Sequence, residues 1–163
     1  MGGEENAFDS TCADDAPPVS HVQLDGLPPH VRAVAVRVKA SRASSAIADL
    51  RWRYDLGSAA HVLRYALAAE NKPDAVAILA RTLSMSPATM RRYARVAEAI
   101  SEAEFSEYVD LVDRSQMPLW WCHLEELAKC RNKDVRRRCA RDVVTDALSV
   151  LELAARIRAG AKT

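Results

Sequence analysis

The stretch DAVAILARTLSMSPATMRRYARVAEAI, residues 74–100, decides what kind of fold this chain adopts. Asp74 stands where a helix N-cap belongs, and Val76, Leu79, Ala80 and Leu83 recur at the three-and-four spacing of one helix face. Ser84-Met85-Ser86 interrupts that pattern, and Pro87 then occupies a first helical position, where its missing N–H costs no hydrogen bond. Two helices joined by a tight turn result, the second running to about Ile100. Ala80 falls where only a small side chain lets the helices approach. Leu79, Leu83, Met85, Met90 and Tyr93 fall on the positions that form the unit's own small core. The turn position most often held by glycine is Ser84, which tolerates positive φ less readily.

This spacing fits a helix-turn-helix, whose second helix enters the major groove of DNA. With Met90 set to zero and about 100° per residue, Tyr93, Ala94 and Ala97 lie within about 60° of it and form the buried face. Arg91, Arg92 and Arg95 fall at about 100°, 200° and 140°, with Ala88 at about 160°. Three guanidinium groups therefore project opposite the core, where a recognition helix needs donors for guanine edges and phosphates. Ser86, Ala88 and Thr89 form the tip of that helix. An ordinary helical hairpin with a solvated basic face would carry the same pattern.

Outward from this unit the helical periodicity continues. Upstream, Val31, Val34, Val38, Ile47, Leu50 and Tyr54 can share a helix face, although residues 34–38 also alternate like a short strand. Gly57 is expected to punctuate that helix and Ser58 to cap another bearing Val62, Leu63, Ala66, Leu67 and Ala69, which Asn71-Lys72-Pro73 closes. Downstream, Ser101 and Glu104 have capping-box spacing ahead of Phe105, Tyr108, Val109 and Val112. Pro118 opens a helix with Trp121, Leu124, Leu127 and Ala128 inward. Asp134 starts one that passes through Val143 and Val144, and Ser149 caps the last, with Val150, Leu153 and Ile157 on one side. Only five glycines occur in 163 residues, and strong helix formers dominate. The expected fold is all-α, a compact multi-helix domain over residues 31–163 containing the helix-turn-helix at about 74–100.

The net charge of +1 averages two unlike parts. Residues 1–30 hold six acids and no Lys or Arg, with little periodic apolar content, and are expected to form a disordered acidic arm. Residues 31–163 carry 23 basic residues against 16 acids, a net +7 that suits a polyanionic partner. A second basic cluster, Lys129, Arg131, Lys133, Arg136, Arg137, Arg138 and Arg141, can grip a phosphate backbone. It can equally be a solvated face that pairs with the acidic segment from Glu98 to Asp113. Arg136, Arg137 and Arg138 join the candidate DNA contacts on the first alternative.

Four cysteines appear without a signal-peptide pattern, so reduced thiols and a cytoplasmic, nucleoid-associated location are expected. No apolar run approaches the ~20 residues needed to span a bilayer. Cys122, His123, Cys130 and Cys139 do not match zinc spacings, and no metal or other cofactor is expected. No phosphate loop or nucleophile motif points to catalysis. Trp120 and Trp121 suit one core anchor and one half-exposed neighbour better than a base-stacking platform.

Three further elements support a resemblance: Tyr93-Ala94-Arg95-Val96-Ala97 closing the helix-turn-helix, then Leu119, Trp121 and His123, then Ser149, Val150 and Leu153. In this order, over roughly residues 50–158, the chain resembles helix-turn-helix proteins of bacterial mobile elements and plasmids. It is similar to ParB-like partition proteins and to the DNA-binding N-terminal domain attached to PD-(D/E)xK-type nucleases. It departs from them in having Leu148 where an aromatic is often placed, and in leaving no room for a nuclease domain. The resemblance implies a double-stranded DNA-binding module, a regulator or segregation factor, without cleavage or hydrolysis. A homodimer reading paired half-sites is expected, because one short helix reads few base pairs. The competing class is a helical adaptor using the basic face against an acidic protein, or an accessory subunit of a nuclease or packaging complex.

Overall fold

Alanine, leucine and arginine are strong helix formers, and they carry one helix, α1, from Pro29 to Ala68. Its 40 residues span about 60 Å at 1.5 Å per residue. The computed structural model describes residues 29–68 and 75–160, which form six further helices and no strand. These are α2 (Ala75–Thr82), α3 (Pro87–Ala99), α4 (Glu102–Ser115), α5 (Trp121–Ala128), α6 (Lys133–Asp146) and α7 (Val150–Gly160). The acidic arm, as far as residue 28, and the expected stop and cap at residues 71–74 lie outside the described residues.

Residues 34–38 are helical, as the shared helix face implies despite their strand-like alternation. One expectation for α1 is corrected: Gly57 interrupts nothing, because α1 runs straight through it. The reason is a backbone contact: a Cβ placed on Gly57 would sit 2.3 Å from the carbonyl oxygen of Tyr93. Only hydrogen fits there, so glycine's weak helix propensity is outweighed by the approach it permits between α1 and α3. Among the described side chains of α1, burial begins at Ala43 and continues through Leu50, Tyr54 and Ala60, while Val31 and Val34 lie outside them. Val38, grouped by spacing with Ile47, Leu50 and Tyr54, is instead 62% exposed.

α1 packs most extensively on α3 and also touches α2, α4 and α5, while α6 and α7 build on α4 and α5. Leu50, Phe105, Val112, Leu119, Leu124, Leu127 and Leu153 fill the main core. Tyr54 stacks on Phe105 with centroids 4.0 Å apart, and its hydroxyl donates to the Ile100 carbonyl at 2.8 Å. That bond satisfies a carbonyl just beyond the last turn of α3.

A charged pair lies within this apolar interior. Ser101 Oγ accepts the Glu104 N–H at 3.4 Å, as capping spacing requires, but the Glu104 carboxylate does not complete a capping box. It is buried and accepts from Arg136 Nε and Nη2, both at 2.6 Å, and from the Tyr108 hydroxyl at 2.5 Å. Arg136 Nη1 also donates to the Cys130 carbonyl at 2.9 Å. One salt-bridged unit therefore joins α4 to α6 with its donors and acceptors matched, the condition under which a buried charge is tolerated. The capping box forms instead at Ser149: its N–H and hydroxyl both donate to Glu152 at 2.8 Å, and its Oγ accepts the Glu152 N–H.

Candidate nucleic-acid interface

The turn between α2 and α3 is closed by two nested hydrogen bonds. The N–H of Met85 donates to the Ala80 carbonyl at 2.8 Å and that of Ser84 to the Arg81 carbonyl at 3.1 Å. This is the Schellman arrangement, which requires a left-handed residue at its centre, and Ser84 supplies it with φ of 54°. The serine thus adopts the conformation for which glycine is usual. Ser86 then caps α3, its Oγ accepting the Thr89 N–H at 3.1 Å, and Pro87 begins the helix.

Ala80 and Met90 are fully buried and, with Ala60, Val76 and Ala94, make a small second core under the turn. Leu79 and Met85 pack against it, but Leu83, expected to join them, is 42% exposed. Position 83 belongs to the turn rather than to α2, so its side chain leaves the helix face that the spacing implied.

α3 buries Met90, Tyr93, Ala94 and Val96 and exposes Ala88, Arg91, Arg92 and Arg95. The outward face drawn from helix angles is present. Val96 lies beyond the expected buried arc because α3 is flanked on two sides, by α1 and by α5. The α5 contact also fixes one of the arginines. Arg92 donates through Nε and Nη2 to both carboxylate oxygens of Glu125, at 3.0 and 2.8 Å, and the Trp121 indole N–H donates to Glu125 at 2.9 Å. Tyr93 meets the Trp121 ring edge-on at 4.9 Å, and its hydroxyl accepts from Arg53 Nη1 at 3.2 Å. Burial, opposed by the Arg53 charge, raises the Tyr93 phenol above its ordinary range. An aromatic hinge thus ties α1, α3 and α5 together, and the Arg92 guanidinium is held at its rim. Arg95 lies along its own helix, with Nε 3.4 Å from the Arg91 carbonyl.

The second basic cluster is divided by the fold. Arg136 is a correction: it is 2% exposed and committed to Glu104, so it cannot reach a phosphate. Arg137 pairs with Glu107 at 2.9 Å and Lys129 with Glu126, so part of the cluster does meet the acids of α4 and α5. Arg138 is exposed, as are Arg131, Lys133 and Arg141. Helix numbering placed Arg136, Arg137 and Arg138 together, whereas successive residues on a helix point about 100° apart and meet different surroundings.

Leu119, Trp121 and His123, which carry the middle of the resemblance, are all interior, and His123 Nδ1 accepts the Trp120 N–H at 3.1 Å. Trp120 is half-buried beneath the Arg42 guanidinium, 5.4 Å from its ring centroid. Cys122, Cys130 and Cys139 are free thiols, and burial raises Cys139 above the ordinary thiol range. Among the described residues no group of three or more His, Cys, Asp or Glu side chains is placed to hold a metal ion, and no helix is long and apolar enough to cross a membrane. Glu125 is the contact that sequence reasoning missed. Its spacing from Trp121, four residues along a helix, was legible, but its pairing with Arg92, 33 residues away, was not. No family model, no curated protein and no solved structure matches this chain.

Proposed function

We propose that the protein binds double-stranded DNA through the α2–α3 helix-turn-helix, as a transcriptional regulator or as a segregation or mobile-element factor. One observation carries this reading: a Schellman turn centred on left-handed Ser84 sets α3 on its own small core, with Ala88, Arg91 and Arg95 exposed along its outer face. A helix presented in this way offers its N-terminal half and a row of guanidinium groups to a groove. Ser86 and Thr89 lie at the tip. Arg91 and Arg95 are the candidate base readers, because bidentate arginine contacts to guanine are the commonest specific ones. Arg92 is engaged by Glu125, so a phosphate contact from it would have to compete with that carboxylate. Binding as a homodimer to paired half-sites would supply the affinity that one short helix lacks.

The test is duplex binding by the full chain, using a random-sequence pool from which bound fragments are selected and sequenced. Arg91→Ala or Arg95→Ala should cost about 1–3 kcal/mol on the selected site and relax preference at one base pair. Absence of duplex binding at low salt, combined with capture of an acidic protein lost on the same substitutions, would establish the adaptor instead.

A further inference from the structure

The fold sorts the cations of the segment from Lys129 to Arg141 into two classes. Lys129, Arg136 and Arg137 face carboxylates of α4 and α5 and are paired. Arg131, Lys133, Arg138 and Arg141 are exposed and meet no carboxylate among the described residues. Lys133, Arg137 and Arg141 follow one another at four-residue steps, a single row along α6 about 12 Å long at 1.5 Å per residue. Arg138 points about 100° away from Arg137, on the side of α6 that faces Gly160 of α7. Asp142 and Asp146, which could have neutralised it, are instead engaged by Arg156 at 2.8 and 3.0 Å.

α5 packs against both α3 and α6 and so links this strip to the proposed recognition helix. Arg92 is anchored on Glu125; Lys129 lies one turn beyond Glu125 on the same side of α5, and the chain then passes through Arg131 to Lys133 at the start of α6. The chemistry of the strip selects its partner. The exposed positions of α6 are Lys133, Asp134, Arg138, Arg141, Thr145 and Asp146, none of them apolar. Protein interfaces are built on buried aromatic and apolar anchors, which this face lacks. A phosphate backbone needs only cations at its surface, and releases counterions when it meets them.

We infer that Arg131, Lys133, Arg138 and Arg141 form a sequence-independent clamp on the phosphate backbone of the same duplex that α3 reads. The inference rests on the DNA-binding reading and adds a second, non-reading surface to it. The clamp sets affinity and salt dependence, whereas α3 sets sequence preference.

The experiment compares the full chain with the variant Arg131→Gln, Lys133→Gln, Arg138→Gln, Arg141→Gln on two duplexes, one selected by the protein and one of scrambled sequence, across a salt series. Each lost phosphate contact should lower the slope of log affinity against log salt by about 0.9, so the four together by about 3–4. The affinity ratio between the two duplexes should stay unchanged. The pair Arg131→Gln, Lys133→Gln, lying at the start of α6, should give about half the effect and guards against loss of folding in the larger variant. A control removes the exposed cations Arg114 and Arg158, on α4 and α7. An unchanged slope, or a fall no larger per charge than in the control, overturns the clamp while leaving the α3 reading intact. If the parent binds neither duplex at low salt, the DNA-binding reading fails, and the clamp with it.

Discussion

The main chain of α1 at Gly57 touches the main chain of α3 at Tyr93, with space for a hydrogen and for nothing larger. This contact fixes the approach of α3 to α1, and α3 also bears Tyr93, the hub of the aromatic contacts with Trp121 and with Trp52.

Gly57→Ala should therefore destabilise the protein even though alanine is the better helix former. The propensity gain is about 1 kcal/mol, and overpacking against an immovable backbone costs about 1–3 kcal/mol or more. A net loss in the urea midpoint is the expected result. A more stable Gly57→Ala variant would mean that the two helices can separate without penalty.

Ser84→Gly should act in the opposite direction. A left-handed residue with a Cβ is strained by about 1–2 kcal/mol, against about 0.5–1 kcal/mol of extra chain entropy lost by glycine. The expected gain is about 0.5–1 kcal/mol in thermal or chemical denaturation. Ser84→Val, β-branched at the same φ, should be destabilising.

The Glu104–Arg136 pair predicts an acid limit. Burial opposes ionisation of Glu104, but hydrogen bonds from Arg136 and Tyr108 outweigh it and hold its carboxyl below the ordinary value. A depressed folded value means that the stabilisation is complete above the unfolded value of about 4.3 and is lost as pH falls through the lower folded one. Glu104→Gln leaves the buried Arg136 charge uncompensated and should cost about 3–5 kcal/mol near neutrality. Its deficit relative to the parent should shrink as both are titrated below about pH 4. A constant deficit across that range would show that the carboxylate charge is not what is lost.

Tyr54 predicts an alkaline limit. Burial first, then the negative charges of Glu102, Glu104 and Asp55, push its phenol up to about 12. With the folded value raised, the contribution to stability is present below the unfolded value of about 10 and disappears as pH rises through the folded one. Ultraviolet titration should show one fewer tyrosine ionising above the ordinary range in Tyr54→Phe than in the parent, with the raised Tyr93 and Tyr108 phenols remaining in both. That variant should lose about 0.5–1.5 kcal/mol with the hydrogen bond to Ile100.

Trp121→Ala should cost about 3–5 kcal/mol, the range for truncating a large buried aromatic, since its ring is 5% exposed against Tyr93. Trp121→Phe keeps most of the packing and removes the indole N–H that steadies Glu125. It should remain folded, with the Arg92–Glu125 pair less firmly held. A folded Trp121→Ala variant that had lost only binding would make the tryptophan itself a contact.

What the amino-acid sequence determined by itself is what neighbours within four or five residues decide. The helical class, the caps at Ser101 and Ser149, the tight turn at residues 84–86 and the outward arginines of α3 all follow from local periodicity and capping chemistry. Tertiary structure decided the roles of residues whose partners are distant in the chain. Gly57 reads locally as a helix stop and becomes a contact point, because a backbone 36 residues further on lies against it. Glu104 reads as a cap and becomes a buried counter-ion, while Arg136 reads as one of three adjacent surface arginines and becomes its partner. Burial makes that difference: it raises the cost of an unpaired charge to several kcal/mol, so the arginine that α6 turns inward must find a carboxylate, whereas Arg138, two positions further on, stays in water.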